Sequence, residues 1–308
     1  MTIWKREAPA EFKNTVKLEN RLTRLTPETL LEWNYITCAS PVVSHNQTGA
    51  AAVSADGARA GLIFPGPNGE LYICDSSRIG AFTAAGESPQ IEGTVPAADT
   101  ASTVAGLNIQ LDHNNTDNAG MEMTLGPPHG SNYSSFTVGT HSGYIDATFF
   151  TAAWDDYDTV AIGFRKTEAY QTGHGAILGT GAAGDVVYTD FAALGALGTV
   201  DDNVETATDL NNSGTSVSTD TTDDATDSQN MRLRVTLSST GAVTYSLIHN
   251  AVAGAGTLAD ATASVAFTFD DGDTVIPYLI THGDGSEDVP LFLKDIKVVR
   301  TPGVSYQN

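Results

Sequence analysis

Met231-Arg232-Leu233-Arg234-Val235 alternates apolar and polar residues without a slip, and the turn "SSTGAV" then leads into a second β-rich run, Val243 to Ile248. Strict alternation marks a strand with one face on a core and one face in water. The same signal recurs from Leu107 onward in "LNIQLD", "GMEMTLG", "SSFTVGT", "YIDATFF", "TVAIGFR", "DVVYTDF", "MRLRVTL", "AVTYSLI", "VAFTF", "TVIPYLI" and "LFLKDIKVV", with turn residues between the runs. No helical pattern of about 12 residues interrupts the series. Ten or more short strands in one stretch predict an all-β, antiparallel β-sandwich of jelly-roll type, and residues 107–308 are enough to bury its core.

Upstream of this domain the pattern changes twice. In residues 1–34, Phe12/Val16 and Leu18/Leu22/Leu25 fall at helical spacing, and "TPETLLEW" offers Thr26 as an N-cap with Pro27 at the first helical position. This predicts a partly helical N-terminal arm. Residues 35–106 are rich in Ala, Gly, Ser, Thr and Pro, with one hairpin signal in "GLIFPGPNGELYICD"; they are expected to form a loop-rich segment packed on the sandwich.

Charge changes the picture of the arm. The chain carries 15 Lys/Arg against 37 Asp/Glu, a net of −22. Residues 1–34 hold six of those bases and five of the acids, a net of +1, which leaves the remainder at −23. A nearly neutral segment on a very acidic body is what docking to another acidic surface requires. Trp4, Phe12, Leu18, Leu22, Leu25 and Trp33 are the candidate anchors, since aromatic and Leu side chains dominate binding energy. The rival is an ordinary helix packed on its own domain. The acidity also argues against nucleic acid as a partner. No apolar run reaches the roughly 20 residues of a membrane span, and the first residues lack the apolar stretch of a secretory signal. Cys38 and Cys74 are too few for a disulfide framework, so two thiols in a reducing compartment are expected.

Candidate chemistry is sparse. "GTGAAG" at 179–184 fits a dinucleotide fingerprint, but a strand pattern follows it where a helix is needed. The seven histidines show no ligand spacing, and Glu122 stands alone where a glycan hydrolase would need two carboxylates. No catalytic residue is assigned and no enzyme is expected. Asp-rich stretches at 112–117, 155–158, 201–205, 219–227 and 270–273 are read as solvated turns, with calcium on one of them as the open alternative to no cofactor. In "FTFDDGDTVIPYLITHG", Gly272 can take positive φ, so Asp270, Asp271 and Asp273 read as a turn, and Pro277 is expected at an edge or bulge.

Read together, "TVAIGFRKTEAYQ", "VVYTDFAALG", "STDTTDDATDSQNMRLRVTLSSTGAVTYSLI", "FTFDDGDTVIPYLITHG" and "PLFLKDIKVV" resemble a group of tailed-phage virion proteins, common in marine and cyanobacterial phages, with a concanavalin A-like (lectin/glucanase-type) sandwich. The resemblance covers roughly residues 107–300 and rests on Glu122, Gly163-Phe164-Arg165-Lys166, Asp190, Asp220, Phe269-Asp270, Pro277 and Lys294, all as structural signature positions. It implies a particle component made in host cytoplasm: a capsid decoration protein bound to the major capsid protein, expected as a homo-oligomer. The alternative is a fibre module that binds host surface glycan through Trp154, Asp155, Tyr157 and Tyr170, where "AAWDDYD" combines aromatic and acidic groups.

Overall fold

The computed structural model describes residues 27–34, 42–43, 60–63, 70–75, 97–99, 108–111, 120–125, 134–168, 188–197, 203–211, 217–249, 257–261, 266–283 and 291–303. These form β1 (Glu28–Asn34), β2 (Val42–Val43), β3 (Ala60–Ile63), β4 (Glu70–Asp75), β5 (Ala97–Asp99), β6 (Asn108–Leu111), β7 (Gly120–Leu125), β8 (Phe136–Thr137), β9 (His141–Phe150) and β10 (Tyr157–Lys166). They continue with β11 (Phe191–Leu197), β12 (Asn203–Asp209), β13 (Val217–Asp224), β14 (Asn230–Leu237), β15 (Ala242–His249), β16 (Ala259–Asp260), β17 (Phe267–Thr268), β18 (Thr274–Gly283) and β19 (Leu291–Pro302). All registered pairings are antiparallel, in a nine-stranded sheet A ordered β16-β15-β14-β9-β19-β6-β5, with β1 also on β19 and β17 also on β15, and a ten-stranded sheet B ordered β13-β12-β11-β10-β18-β7-β4-β3-β2, with β8 also on β18. The chain is an all-β antiparallel sandwich.

Alternation builds the core between the sheets. Ile145, Ala147 and Phe149 of β9 and Met231, Leu233, Val235 and Leu237 of β14 meet Val160, Ile162 and Phe164 of β10 and Met123 and Leu125 of β7 in one buried cluster. Phe136 packs edge-to-face on Phe164, with ring centroids 5.1 Å apart, a favoured aromatic geometry.

The segment read as a short helix after Thr26 is instead strand β1. It pairs with β19 over Glu28↔Arg300 to Asn34↔Asp295 and steps through a bulge at Thr29/Leu31. The bulge lets two consecutive residues, Leu30 and Leu31, both enter the core. That gain in buried apolar surface overrides the local helix signal. The expected boundaries at 34 and 106 do not separate sheets: β1 belongs to sheet A, and the predicted hairpin β3–β4 is continued into β7 of sheet B. Of the rest of the arm, residues 1–26 lie outside the described residues, as do Cys38 and the glycines of 179–184.

Pro277 is not at an edge. It sits in β18, between β10 and β7 in sheet B, opposite Phe164. On its other flank the registered pairs with β8 end at Val275 and those with β7 begin at Tyr278. The proline falls in the gap between two short neighbours, where a missing N–H breaks no ladder.

Candidate functional site

Each sheet has a second face turned away from the sandwich core, and the charged side chains gather there. On sheet B, alternation along β7, β10 and β18 directs Glu122, Arg165 and Tyr278 to that face, and all three are buried. Arg165 Nε donates to Glu122 Oε1 at 2.7 Å, the Tyr188 hydroxyl donates to Glu122 Oε2, and the guanidinium lies 4.0 Å over the Tyr188 ring. A carboxylate removed from water needs such a cation and donor. Burial drives the Tyr278 hydroxyl well above an ordinary tyrosine, with the Glu122 charge adding to the effect. Small residues complete this face: Ala161, Ala193 and Ala207 pack with Tyr188, Phe191 and Ile280. Gly163 is required here, because a Cβ would fall on the carbonyl oxygen of Ala192.

Beside this cluster, Lys166 Nζ bridges Asp273 Oδ1 at 2.9 Å and Asp190 Oδ2 at 3.2 Å. The hydrogen bond to Asp273 is the main cause of a lysine pKa above its ordinary value, with Asp190 reinforcing it. Asp190 Oδ1 also accepts the Asn211 backbone N–H at 2.6 Å, and Glu168 accepts the Thr189 N–H at 2.8 Å.

On sheet A the outward residues of β9, β14 and β19 form a second network. Asp146 accepts Arg232 Nε and Nη2, each at 2.8 Å, and both Nε and Nη2 of Arg234. The Arg234 guanidinium lies 4.3 Å over the Tyr144 ring. Lys297 reaches Glu32 at 3.0 Å, and Arg300 joins Glu28 at 2.9 Å and the Ser135 carbonyl at 2.7 Å. Asp295, buried near the same arginines, has its pKa pushed up to about 6 by desolvation, with a hydrogen bond to Thr148 acting the other way.

The structure brings together four of the signature positions, Glu122, Arg165, Lys166 and Asp190, as partners in two adjacent networks. Asp220 instead closes a local turn by accepting the Thr222 N–H at 2.7 Å. The turn at 270–273 is as expected: Gly272 has φ 90°, and the Asp273 N–H donates to the Asp270 carbonyl at 3.1 Å. Glu122 is hydrogen-bonded, as a single carboxylate on a strand is expected to be. Its cation is 43 residues away in sequence and on a strand that is not its neighbour, so no local pattern reveals it. The Asp146 network was also missed, although an aspartate amid the apolar run "YIDATFF" facing an Arg-x-Arg strand is a signal for it.

The proposed glycan residues are corrected. Trp154 has no exposed surface; its indole N–H donates to the Thr226 carbonyl at 3.1 Å and its backbone N–H to Asp227 at 2.8 Å. Tyr157 is also buried, so neither ring offers a face for a sugar, and among the described residues of this group Asp155 is the exposed one. Tyr170, Trp4, Phe12, Leu18, Leu22 and Leu25 lie outside the described residues. Trp33 lies on β1 opposite Ile296, within sheet A and not on a free arm. Among the described residues no three His, Cys, Asp or Glu side chains gather to hold a metal ion, and no helix is long and apolar enough to cross a membrane.

No protein-family model and no curated protein matches the sequence. Solved structures similar in shape include lectin II from Ulex europaeus (11% identity, TM-score 0.45, 69% of this chain and 92% of that one) and peanut lectin with a nonamer peptide (13%, 0.43, 77% and 100%). A protein of unknown function from Shewanella oneidensis MR-1 is similar over 100% of both chains at 11% identity and TM-score 0.45. At these values the likenesses say nothing of ligand or activity.

Proposed function

We propose that this chain is a non-catalytic virion structural protein of the capsid-decoration kind, which docks on the major capsid protein through residues upstream of β1. The observation that carries this reading is β1 itself. It ties the root of the N-terminal segment, whose residues 1–26 carry six Lys/Arg against three Glu, to β19, near the middle of sheet A, with Leu30 and Leu31 in the core and Glu28 and Glu32 paired to Arg300 and Lys297. A docking segment rooted in this way passes load straight into a long antiparallel ladder. Three of the buried carboxylates, Glu122, Asp146 and Asp190, are each held by a cation, which supports a role without chemistry at those positions.

The structure relocates the cut that tests it. Deleting residues 1–34 would remove β1 and open the core, whereas deleting 1–26 removes none of the described strands. Full-length protein and the 1–26 deletion are each cosedimented with phage heads lacking this component. Stoichiometric binding by the full chain and none by the deletion is the expected result; equal binding by the deletion, or none by either, overturns the proposal. A glycan array probed with both proteins tests the rival function: a defined glycan bound by both would make this chain a carbohydrate-binding module.

A further inference from the structure

Given docking through residues 1–26, on which this inference rests, we propose that the corner of the sandwich formed by the β12–β13 hairpin is a second contact with the same partner. It seats in an apolar depression flanked by lysine or arginine on that partner. Among the described residues the exposed large apolar side chains are Leu210 and Val217, at 36% and 48%. They flank one hairpin: Val217 pairs with Thr208, and Leu210 lies two residues beyond Thr208. Both therefore sit at one corner of sheet B, beside its edge strand β13.

This corner lies at the end of the molecule from which the docking segment leaves. Register carries Glu28 across sheet A to Arg300 and Gly143. On sheet B it carries Val275 to Lys166, Arg165 to Phe191 and Phe191 to Asp209. Hydrogen bonds join the two. Arg300 binds Glu28 and the Ser135 carbonyl, and the Val138 N–H donates to the Asp273 carbonyl at 2.8 Å. Lys166 then holds Asp273 and Asp190, and Asp190 accepts the Asn211 N–H. The path runs from the root of the segment to the hairpin and fixes the backbone next to Leu210 before a partner arrives. An anchor ordered beforehand loses little entropy on binding.

Charge selects the partner surface. At this end Glu28, Asp190, Asp270, Asp271 and Asp273 outnumber Lys166 and Arg300, and Glu28, Asp270 and Asp271 are exposed. Exposed acids beside two apolar side chains repel the same corner of a second copy and attract a basic surface. Leu210 and Val217 supply the apolar area that leaves water, and the carboxylates supply orientation.

Cosedimentation with the same phage heads tests the corner, using full-length protein so that residues 1–26 remain. Leu210→Asp combined with Val217→Asp should weaken binding about tenfold, the loss of a modest interface anchor. Asp270→Lys should weaken it about threefold. Thr244→Asp, at an exposed position on sheet A, should leave it unchanged. If a lowered melting temperature shows that the paired aspartates disturb the hairpin, Leu210→Ser with Val217→Thr replaces them and should still weaken binding about threefold. A double variant that binds heads as tightly as the wild type overturns the proposal while the docking reading stands. So does one that changes only self-association in sedimentation velocity, or only the protease resistance of residues 1–26 in the free protein. No binding by the wild type overturns the docking reading and the corner together.

Discussion

The two outward faces of this sandwich solve one electrostatic problem in opposite ways. On sheet B, Glu122, Arg165, Tyr188 and Tyr278 are withdrawn from solvent and packed among alanines and a required glycine. On sheet A, Arg232, Arg234 and Lys297 keep part of their surface in water while holding carboxylates beneath or beside them. The first arrangement fixes structure, since a buried ion pair is worth little until one partner is removed. The second leaves the cations hydrated on one side. Burial of the cations, more than their number, separates the two faces.

The sharpest way to break the comparison is Arg165→Leu. It leaves the Glu122 carboxylate buried without the Arg165 guanidinium and should cost about 3–5 kcal/mol in denaturant unfolding. A loss below about 1 kcal/mol would show that sheet B's outward face is wetter than its burial implies.

Asp295 tests sheet A through pH. Its carboxyl binds a proton more tightly in the folded protein than its ordinary value of 3.8. The folded state therefore loses stability as pH rises from about 4 to 6, by up to about 3 kcal/mol, and levels off above that. Asp295→Asn should remove this slope and raise the melting temperature at pH 7; an unchanged slope would assign the titration elsewhere.

Gly163→Ala should cost about 1–3 kcal/mol by forcing β10 and β11 apart, read from the melting temperature. Lys297→Ala is the smallest effect. Its exposed pair with Glu32 should contribute within about 0.5 kcal/mol to stability, read from denaturant unfolding.

Strand content was legible wherever one face was apolar. "MRLRVTL" and "AVTYSLI" coincide with β14 and β15, and "TVIPYLI" and "LFLKDIKVV" with β18 and β19. Three strands were hidden for physical reasons. β11 is "FAALGAL", where Ala and Gly are poor strand formers in isolation but suit a strand buried on both faces. β12 and β13 run through the Asp-rich stretches read as loops. β13 closes the sheet with Asp220, Asp223 and Asp224 along an exposed edge, and only Thr221 turns inward, its hydroxyl donating to the Val204 carbonyl at 2.6 Å. Acidic edge strands lack the alternation that advertises a strand because their charges serve to repel further pairing. β1 was misread because its Leu-Leu pair satisfies a helix template and a bulged strand equally well. The polar networks were the least legible part, since each joins residues from strands distant in sequence.

The position of β19 has a consequence for biosynthesis. It leaves the ribosome after β1, β6 and β9, yet all three hydrogen-bond to it. During translation β1 has no template and must wait, its two leucines in water or held by a chaperone, for more than 250 intervening residues to emerge. Nascent chains arrested before residue 291 should accordingly leave β1 protease-sensitive, and emergence of β19 should be the event that orders it.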